Sequence, residues 1–151
     1  MKIRKLQRDE MPPYDLLLLA DPSRELVETY ITEGECYVAE DNDDIIGVFV
    51  IVPLTKETVE IKNIAVSEDR QGQGIGKKLL QEAIGVSKSN GYDNIEIGTG
   101  NSSIGQLALY QKCGFRIAGV IKDFFIQHYD EIIMENGILC KDMIRLRLEI
   151  Q

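Results

Sequence analysis

The sequence predicts a mixed α/β fold in which a mixed sheet is covered by helices. Three observations lead there. Strand-like and helix-like apolar patterns interleave along the whole chain. Turn residues mark hairpins near both ends. In the middle, a glycine-rich turn joins an apolar strand to an amphipathic helix. With 151 residues and 17.0 kDa, the chain is expected to be one domain spanning residues 1–151.

The elements follow in order. Lys2 to Leu6 places Ile3 and Leu6 among charges and reads as a first strand. Tyr14 to Ala20 reads as a helix. Asp21-Pro22 predicts a second helix capped by Asp21 and starting at Pro22, with Leu26, Val27, Tyr30 and Ile31 on one face. Cys36 to Glu40 and Ile45 to Leu54 are strands joined by Asn42, Asp43 and Asp44, and Pro53 marks the end of the second. Thr58 to Val66 is another strand. Lys77 to Ser89 reads as a helix with a stripe of Leu79, Leu80, Ala83, Ile84 and Val86, stopped by Asn90-Gly91. Ile95 to Thr99 is a short strand. Ser103 and Gln106 match a capping box that opens a helix running to Cys113 and ending at Gly114. Phe115, Ile117 and Ile121 suggest a strand, and Asn136-Gly137 a tight turn. Ile144, Leu146, Leu148 and Ile150 alternate with polar residues as a half-buried strand.

Composition narrows the function classes. Hydrophobic residues make up 44% and charged residues 28%, an ordinary globular mix rather than a disordered one. The net charge is −8, which disfavours a nucleic-acid partner. An acidic surface suits a cationic small molecule, although solubility alone also accounts for it. The apolar run Leu16 to Ala20 falls far short of the roughly 18 residues of a membrane helix. The basic start Met1 to Lys5 has no apolar segment behind it, so no signal peptide and no membrane partner are expected, and the expected location is cytoplasmic. Cys36, Cys113 and Cys140 form no C-x-x-C pair, and His128 is the one histidine; no metal is expected, and the thiols read as reduced.

The most informative stretch is Arg70-Gln71-Gly72-Gln73-Gly74-Ile75-Gly76-Lys77-Lys78. Glycines between a strand and a helix let successive N–H groups face one space, and the helix dipole adds positive potential there. Such a turn suits a phosphate or pyrophosphate, with Lys77 and Lys78 adding attraction. The Walker pattern fails at Gln71 and Lys78, and the dinucleotide pattern counted from Gly72 fails at Lys77, so a nucleotide-binding reading is weak.

Gln71-Gly72-Gln73-Gly74-Ile75-Gly76 resembles the [QR]-x-x-G-x-[GA] signature of the GNAT (GCN5-related) N-acetyltransferase superfamily. Ile64-Ala65-Val66 stands where that family has its central acetyl-CoA-binding strand. Tyr110-Gln111-Lys112-Cys113-Gly114-Phe115 is similar to the family's Y-x-K-x-G-F ending. The resemblance covers nearly the whole chain. It implies three layers, with a mostly antiparallel sheet of six to seven strands and about four helices. It also implies acetyl-CoA as acetyl donor, bound by Ile64 to Val66 and Gln71 to Lys77. The family often carries Asn seven residues before the tyrosine to contact the pantetheine arm; Ser103 stands there, with Asn101 nearby, and either is a candidate.

Acetyl transfer to an amine needs removal of a proton, a donor for the oxyanion and protonation of the leaving thiolate. Glu60 is the candidate base: it falls where some GNAT enzymes carry one, and flanking Val59 and Ile61 are expected to raise its pKa. The alternative is a strand carboxylate paired with Lys62. Tyr110 is the candidate acid, placed beside the sulfur by the resemblance; the alternative is a packing ring. The resemblance gives the Val66 N–H the thioester carbonyl. His128, among Phe124, Phe125 and Tyr129, reads as a loop residue bordering the acceptor pocket.

The resulting expectation is an acetyl-CoA-dependent N-acetyltransferase acting on a small cationic amine or a peptide or protein amine through a ternary complex. A catalytically silent acyl-CoA-binding module on the same fold is the alternative; it needs neither Glu60 nor Tyr110. A homodimer is a further possibility, through pairing of the C-terminal strand.

Overall fold

A computed structural model describes residues 1–151. The chain runs through β1 (Lys2–Lys5), α1 (Tyr14–Ala20), α2 (Arg24–Glu33), β2 (Glu35–Asp41), β3 (Asp44–Pro53) and β4 (Thr58–Val66). A single 3-10 turn (Glu68–Arg70) precedes α3 (Ile75–Ser89), β5 (Asn94–Gly100), α4 (Ile104–Lys112) and β6 (Arg116–Ile121). The last elements are α5 (Phe124–His128), β7 (Met134–Glu135), β8 (Ile138–Leu139) and β9 (Met143–Glu149).

Seven strands form one sheet in the order β1-β2-β3-β4-β5-β9-β6, and β7 pairs with β8 as a separate ribbon. Every neighbouring pair is antiparallel except β4 and β5. Two parallel strands cannot be joined by a tight hairpin, so the connection from β4 to β5 carries α3.

The sheet has helices on both faces. Ile46 to Val52 of β3 is buried without a break because each face of that strand is covered. Phe49 and Ile51 join Leu79, Leu80 and Ala83 of α3 in one core. Val48, Val50 and Val52 join Leu17, Val27 and Tyr30 of α1 and α2 in the other. Phe49 also stacks on Tyr37 of β2 at 4.8 Å between ring centres.

Several local expectations are corrected. The cap of α2 is Ser23, whose Oγ accepts the Leu26 N–H at 3.3 Å, and the helix starts at Arg24 rather than Pro22. Asp21 instead closes α1 through its own N–H to the Leu17 carbonyl, and its carboxylate turns elsewhere. Ser103 precedes α4, but its hydroxyl makes no cap bond, so the capping box with Gln106 does not form. α3 starts two residues before Lys77, at Ile75, because Gly74 in the left-handed region lets the chain enter the helix there. His128 ends a short helix and is not in a loop. β9 is hydrogen-bonded on both sides, to β5 and β6, so it offers no free edge to a second copy; the free edges are β1 and β6.

The junction from α2 to β2 depends on Gly34. A Cβ at that position would lie 2.2 Å from the Ile51 carbonyl oxygen, a backbone atom held inside the sheet. Gly34→Ala is therefore expected to destabilise the fold by roughly 1–3 kcal/mol, read as a lower urea midpoint with an unchanged slope. An unchanged midpoint would mean that β3 yields freely at Ile51.

Candidate active site

The site starts where two strands part. β4 and β5 pair from Thr58 and Asn94 only as far as Ile61 and Ile97. On its other side, β4 slips register against β3: Val50 faces Asn63 while Ile51 faces Ile61. Lys62 is the extra residue, and the bulge bends β4 away from β5. The Ser67 N–H donates to the Ile46 carbonyl at 2.8 Å, toward β3. Strand alternation then turns the N–H groups of Ile64 and Val66 the other way, into the gap.

A cavity of about 730 Å³ opens at this gap. Ile61 to Ile64 of β4 and Ile97 to Gly100 of β5 form its floor. The α1–α2 connection, α5 and the segment from Tyr129 to Glu135 complete the walls. Tyr110 of α4 lines the cavity while only 4% exposed. Burial pushes its phenol above the ordinary value, so the hydroxyl keeps its proton. His128 also lines the cavity, with its ring 4.5 Å from that of Phe124.

The glycine turn lies past the end of β4, outside the cavity wall. Gly72 and Gly74 both have φ of +80°, which explains glycine at each position. A Cβ at either would meet no atom within 4 Å, so the space above the turn is open. No side chain caps α3 and no acidic residue stands in its first turn. Its first intrahelical bond runs from the Lys78 N–H to the Gly74 carbonyl at 3.2 Å, leaving the preceding N–H groups available. Gln71 donates from Nε2 to the Val66 carbonyl at 3.1 Å and ties the turn to the end of β4. Arg70 pairs with Asp41 at 2.8 Å behind it.

Glu60 has the ion pair with Lys62 that the sequence offers as its alternative reading, rather than an apolar setting. It is 6% exposed, but Val59 and Ile61 belong to the opposite, apolar face, and its carboxylate meets cations instead. Arg145 Nη1 lies 2.7 Å from Oε2 and Lys62 Nζ 3.5 Å from Oε1. Glu60 does not line the cavity. It stands beside Glu96 in the paired part of β4 and β5, where two carboxylates would repel. Arg145 of β9 reaches over β5 and resolves this, with Nη2 on Glu96 at 3.0 Å, and Arg147 binds Glu96 at 2.8 Å. Gly98 makes the crossing possible, because a Cβ there would fall 2.9 Å from Arg145 Nη1.

The two candidates for the pantetheine arm separate as well. Asn101 accepts the N–H groups of Lys141 (2.8 Å) and Asp142 (3.0 Å) and donates to the Leu139 carbonyl (3.1 Å). Three of that side chain's hydrogen-bonding positions brace the chain before β9, and it does not line the cavity. Ser103 does line it, and its hydroxyl donates to Glu135 at 2.9 Å.

Sequence reasoning missed a buried polar cluster on the cavity wall. Asp21, read only as a helix cap, accepts hydrogen bonds from the Tyr129 hydroxyl (2.8 Å), the Tyr30 hydroxyl (3.0 Å) and the Ser23 N–H (3.1 Å). Asn63 donates from Nδ2 to the Leu17 carbonyl (2.9 Å) and the Tyr30 hydroxyl (2.8 Å). Its position in the middle of an apolar strand was the available signal. No three His, Cys, Asp or Glu side chains converge as a metal site, and no helix is long and apolar enough to cross a membrane.

Residues 2–115 match the model of the acetyltransferase (GNAT) family. The chain belongs to this family. A relative described as the uncharacterized N-acetyltransferase YvbK of Bacillus subtilis (strain 168) is 58% identical over 137 residues, covering 91% of this chain and 88% of the relative. The crystal structure of a GNAT family acetyltransferase from Elizabethkingia anophelis with acetyl-CoA bound superposes with a TM-score of 0.96 at 54% identity, covering 98% of this chain and 97% of that one. A Bacillus subtilis acetyltransferase in complex with CoA gives a TM-score of 0.94 at 53% identity, over 99% of each chain. As a GNAT acetyltransferase, the protein has the mostly antiparallel sheet and the glycine turn between β4 and α3 that the sequence predicts.

The ion pairs beneath the parted strands carry a measurable consequence. Arg145→Met leaves Glu60 and Glu96 facing each other, mostly buried, and is expected to cost roughly 2–3 kcal/mol after allowance for partial exposure. Adding Glu96→Gln should return part of that loss. Chemical denaturation of both variants checks this, and additive losses would show that the three side chains do not act together.

Proposed function

We propose that the protein transfers an acetyl group from acetyl-CoA to a primary amine by direct attack in a ternary complex. The observation that carries this is one continuous arrangement: parted strands with free N–H groups, a buried tyrosine hydroxyl on the cavity wall and an open glycine turn beyond. The solved relatives that hold acetyl-CoA and CoA support the choice of donor. The whole chain acts as one domain, and the acceptor is a small cationic amine or a peptide or protein amine.

In this reading the N–H groups from Gln71 to Lys77 face the pyrophosphate, at the positive end of α3. The acetyl-bearing arm lies along Ile64, Ala65 and Val66 in the gap, with Ser103 available at the wall. The amine nitrogen attacks the thioester carbonyl carbon, and the carbonyl oxygen takes up the electron pair. The Val66 N–H donates to that oxyanion. Before attack, the acceptor ammonium releases a proton to water. After attack, the oxyanion's electron pair re-forms the carbonyl as the C–S bond breaks. The sulfur leaves with the bonding pair and takes the Tyr110 proton, and the second proton lost by the nitrogen returns through water to the Tyr110 oxygen. Glu60 stands outside the cavity with its charge satisfied by Arg145 and Lys62. Its part is to hold β4 and β5 together at the base of the gap, rather than to take the amine's proton. Tyr110, with an unpaired hydroxyl at the cavity, favours transfer over a silent binding module.

Four measurements check the assignment. Thiol release from acetyl-CoA across a panel of amines tests the reaction itself, and no release with any amine would sink it. Tyr110→Phe should lower kcat by roughly 10²–10⁴ with little change in the KM for acetyl-CoA. The raised phenol also means that kcat should show no alkaline fall below about pH 10, the ordinary tyrosine value. Gly74→Trp should weaken acetyl-CoA binding about tenfold or more by calorimetry, which is 1.4 kcal/mol in affinity. Equal affinity in a folded variant would remove the turn from the coenzyme site.

A further inference from the structure

Asp21 is nine-tenths buried and lines the cavity on the α1–α2 connection. None of the ion pairs in the structure includes it. The cations on neighbouring elements are engaged elsewhere: Lys62 faces Glu60, and Arg24 lies over the Tyr14 ring 4.0 Å from its centre. Three neutral donors converge on the carboxylate, which suits the ionised form, an acceptor without a proton to give. A carboxylate offers about four acceptor sites, so one remains open, on Oδ2. A buried charge without a counter-ion is costly, and such charges normally find a cation.

A second atom in the same cluster is also unsatisfied. Asn63 is 3% exposed and lines the same cavity, and its Oδ1 has no hydrogen-bond partner. The Leu17 carbonyl fixes Nδ2 as the atom facing it, so the orphan is the acceptor. Tyr30 connects the two residues, donating to Asp21 and accepting from Asn63. The tyrosines do not supply the missing charge, because burial raises both the Tyr30 and Tyr129 phenols and keeps them neutral.

We propose that Asp21, supported by Asn63, is the subsite that binds the ammonium group of the acceptor. A negative charge without a counter-ion and an acceptor oxygen without a donor match the several N–H groups of an alkylammonium. They do not match a neutral arylamine or an alcohol. This rests on the transfer reading above and narrows its acceptor to amines that are cationic at neutral pH. Tyr129 also ties the chain after α5 to the α1–α2 turn through Asp21, so the two walls of the cavity meet at this carboxylate.

The test is direct binding by NMR titration at pH 7, with benzylammonium as the cationic probe and benzyl alcohol as its neutral counterpart. The wild-type protein should bind benzylammonium at least about tenfold more tightly. Asp21→Asn should abolish that preference while leaving acetyl-CoA affinity within about twofold. Tyr129→Phe keeps the charge and should keep the preference. Equal binding of the two probes by the wild type overturns the proposal, even if Asp21→Asn fails to fold; so does a preference that survives in Asp21→Asn. If no amine releases CoA but the preference holds, the transfer reading fails and the cation subsite stands. If transfer proceeds without the preference, the reverse follows.

Discussion

The parting of β4 and β5 after Ile61 and Ile97 is the constraint on which the rest of the molecule depends. Elsewhere in the sheet, neighbouring strands are antiparallel and satisfy one another's backbone groups. At this place the strands are parallel, so a helix must cross between them, and its N-terminus falls beyond the carboxyl end of β4. That is where ligands of open α/β sheets bind. The bulge at Lys62 opens the gap, and Arg145 holds its closed end by joining Glu60 to Glu96. The free N–H groups, the cavity and the glycine turn are thus consequences of one departure from regular pairing.

Charge is divided along the same axis. The chain carries a net −8 and belongs to a family whose solved relatives hold a polyanionic coenzyme. The local field resolves the apparent conflict. At the start of α3 there is no acidic residue, the backbone donors are uncapped, and Lys77 and Lys78 follow. Asp41 next to the turn is neutralised by Arg70, whose guanidinium holds that carboxyl below its usual value. The cavity wall formed by the α1–α2 connection and the segment after α5 has the opposite character, with Asp21 buried in it and Asp130 and Glu131 at its exposed rim.

What the sequence revealed was local. Thr58 to Val66 is legible with its correct ends because apolar period and turn residues coincide there. Asn136 and Gly137 make the expected turn, both with positive φ. The glycine turn was legible because Gly72 and Gly74 occupy conformations that other residues avoid. The misses involve distant partners. Glu60 and Arg145 are 85 residues apart, and Asp21 and Tyr129 are 108 apart. Val59 and Ile61 predicted an apolar setting for Glu60, yet alternation sends them to the other face. β9 read correctly as a half-buried strand, but no local pattern says that it threads between β5 and β6. Asn101 makes hydrogen bonds to the backbone of Leu139, Lys141 and Asp142, about forty residues away, which no local pattern shows.

The same distances explain where the buried polar groups collect. Two apolar clusters fill the two sides of the sheet, and replacing a buried ion pair with apolar residues is often neutral or favourable for stability. Yet Glu60, Asn63 and Thr58 are all buried on β4, beside the gap or at its closed end. Apolar side chains would pack more simply there, but they would not hold two carboxylate-bearing strands at a fixed separation. Nor would they orient Tyr30 toward Asp21. Directional contacts fix positions that non-directional packing leaves loose. The polar residues of β4 therefore mark the part of the sheet where shape, more than stability, sets the choice of side chain.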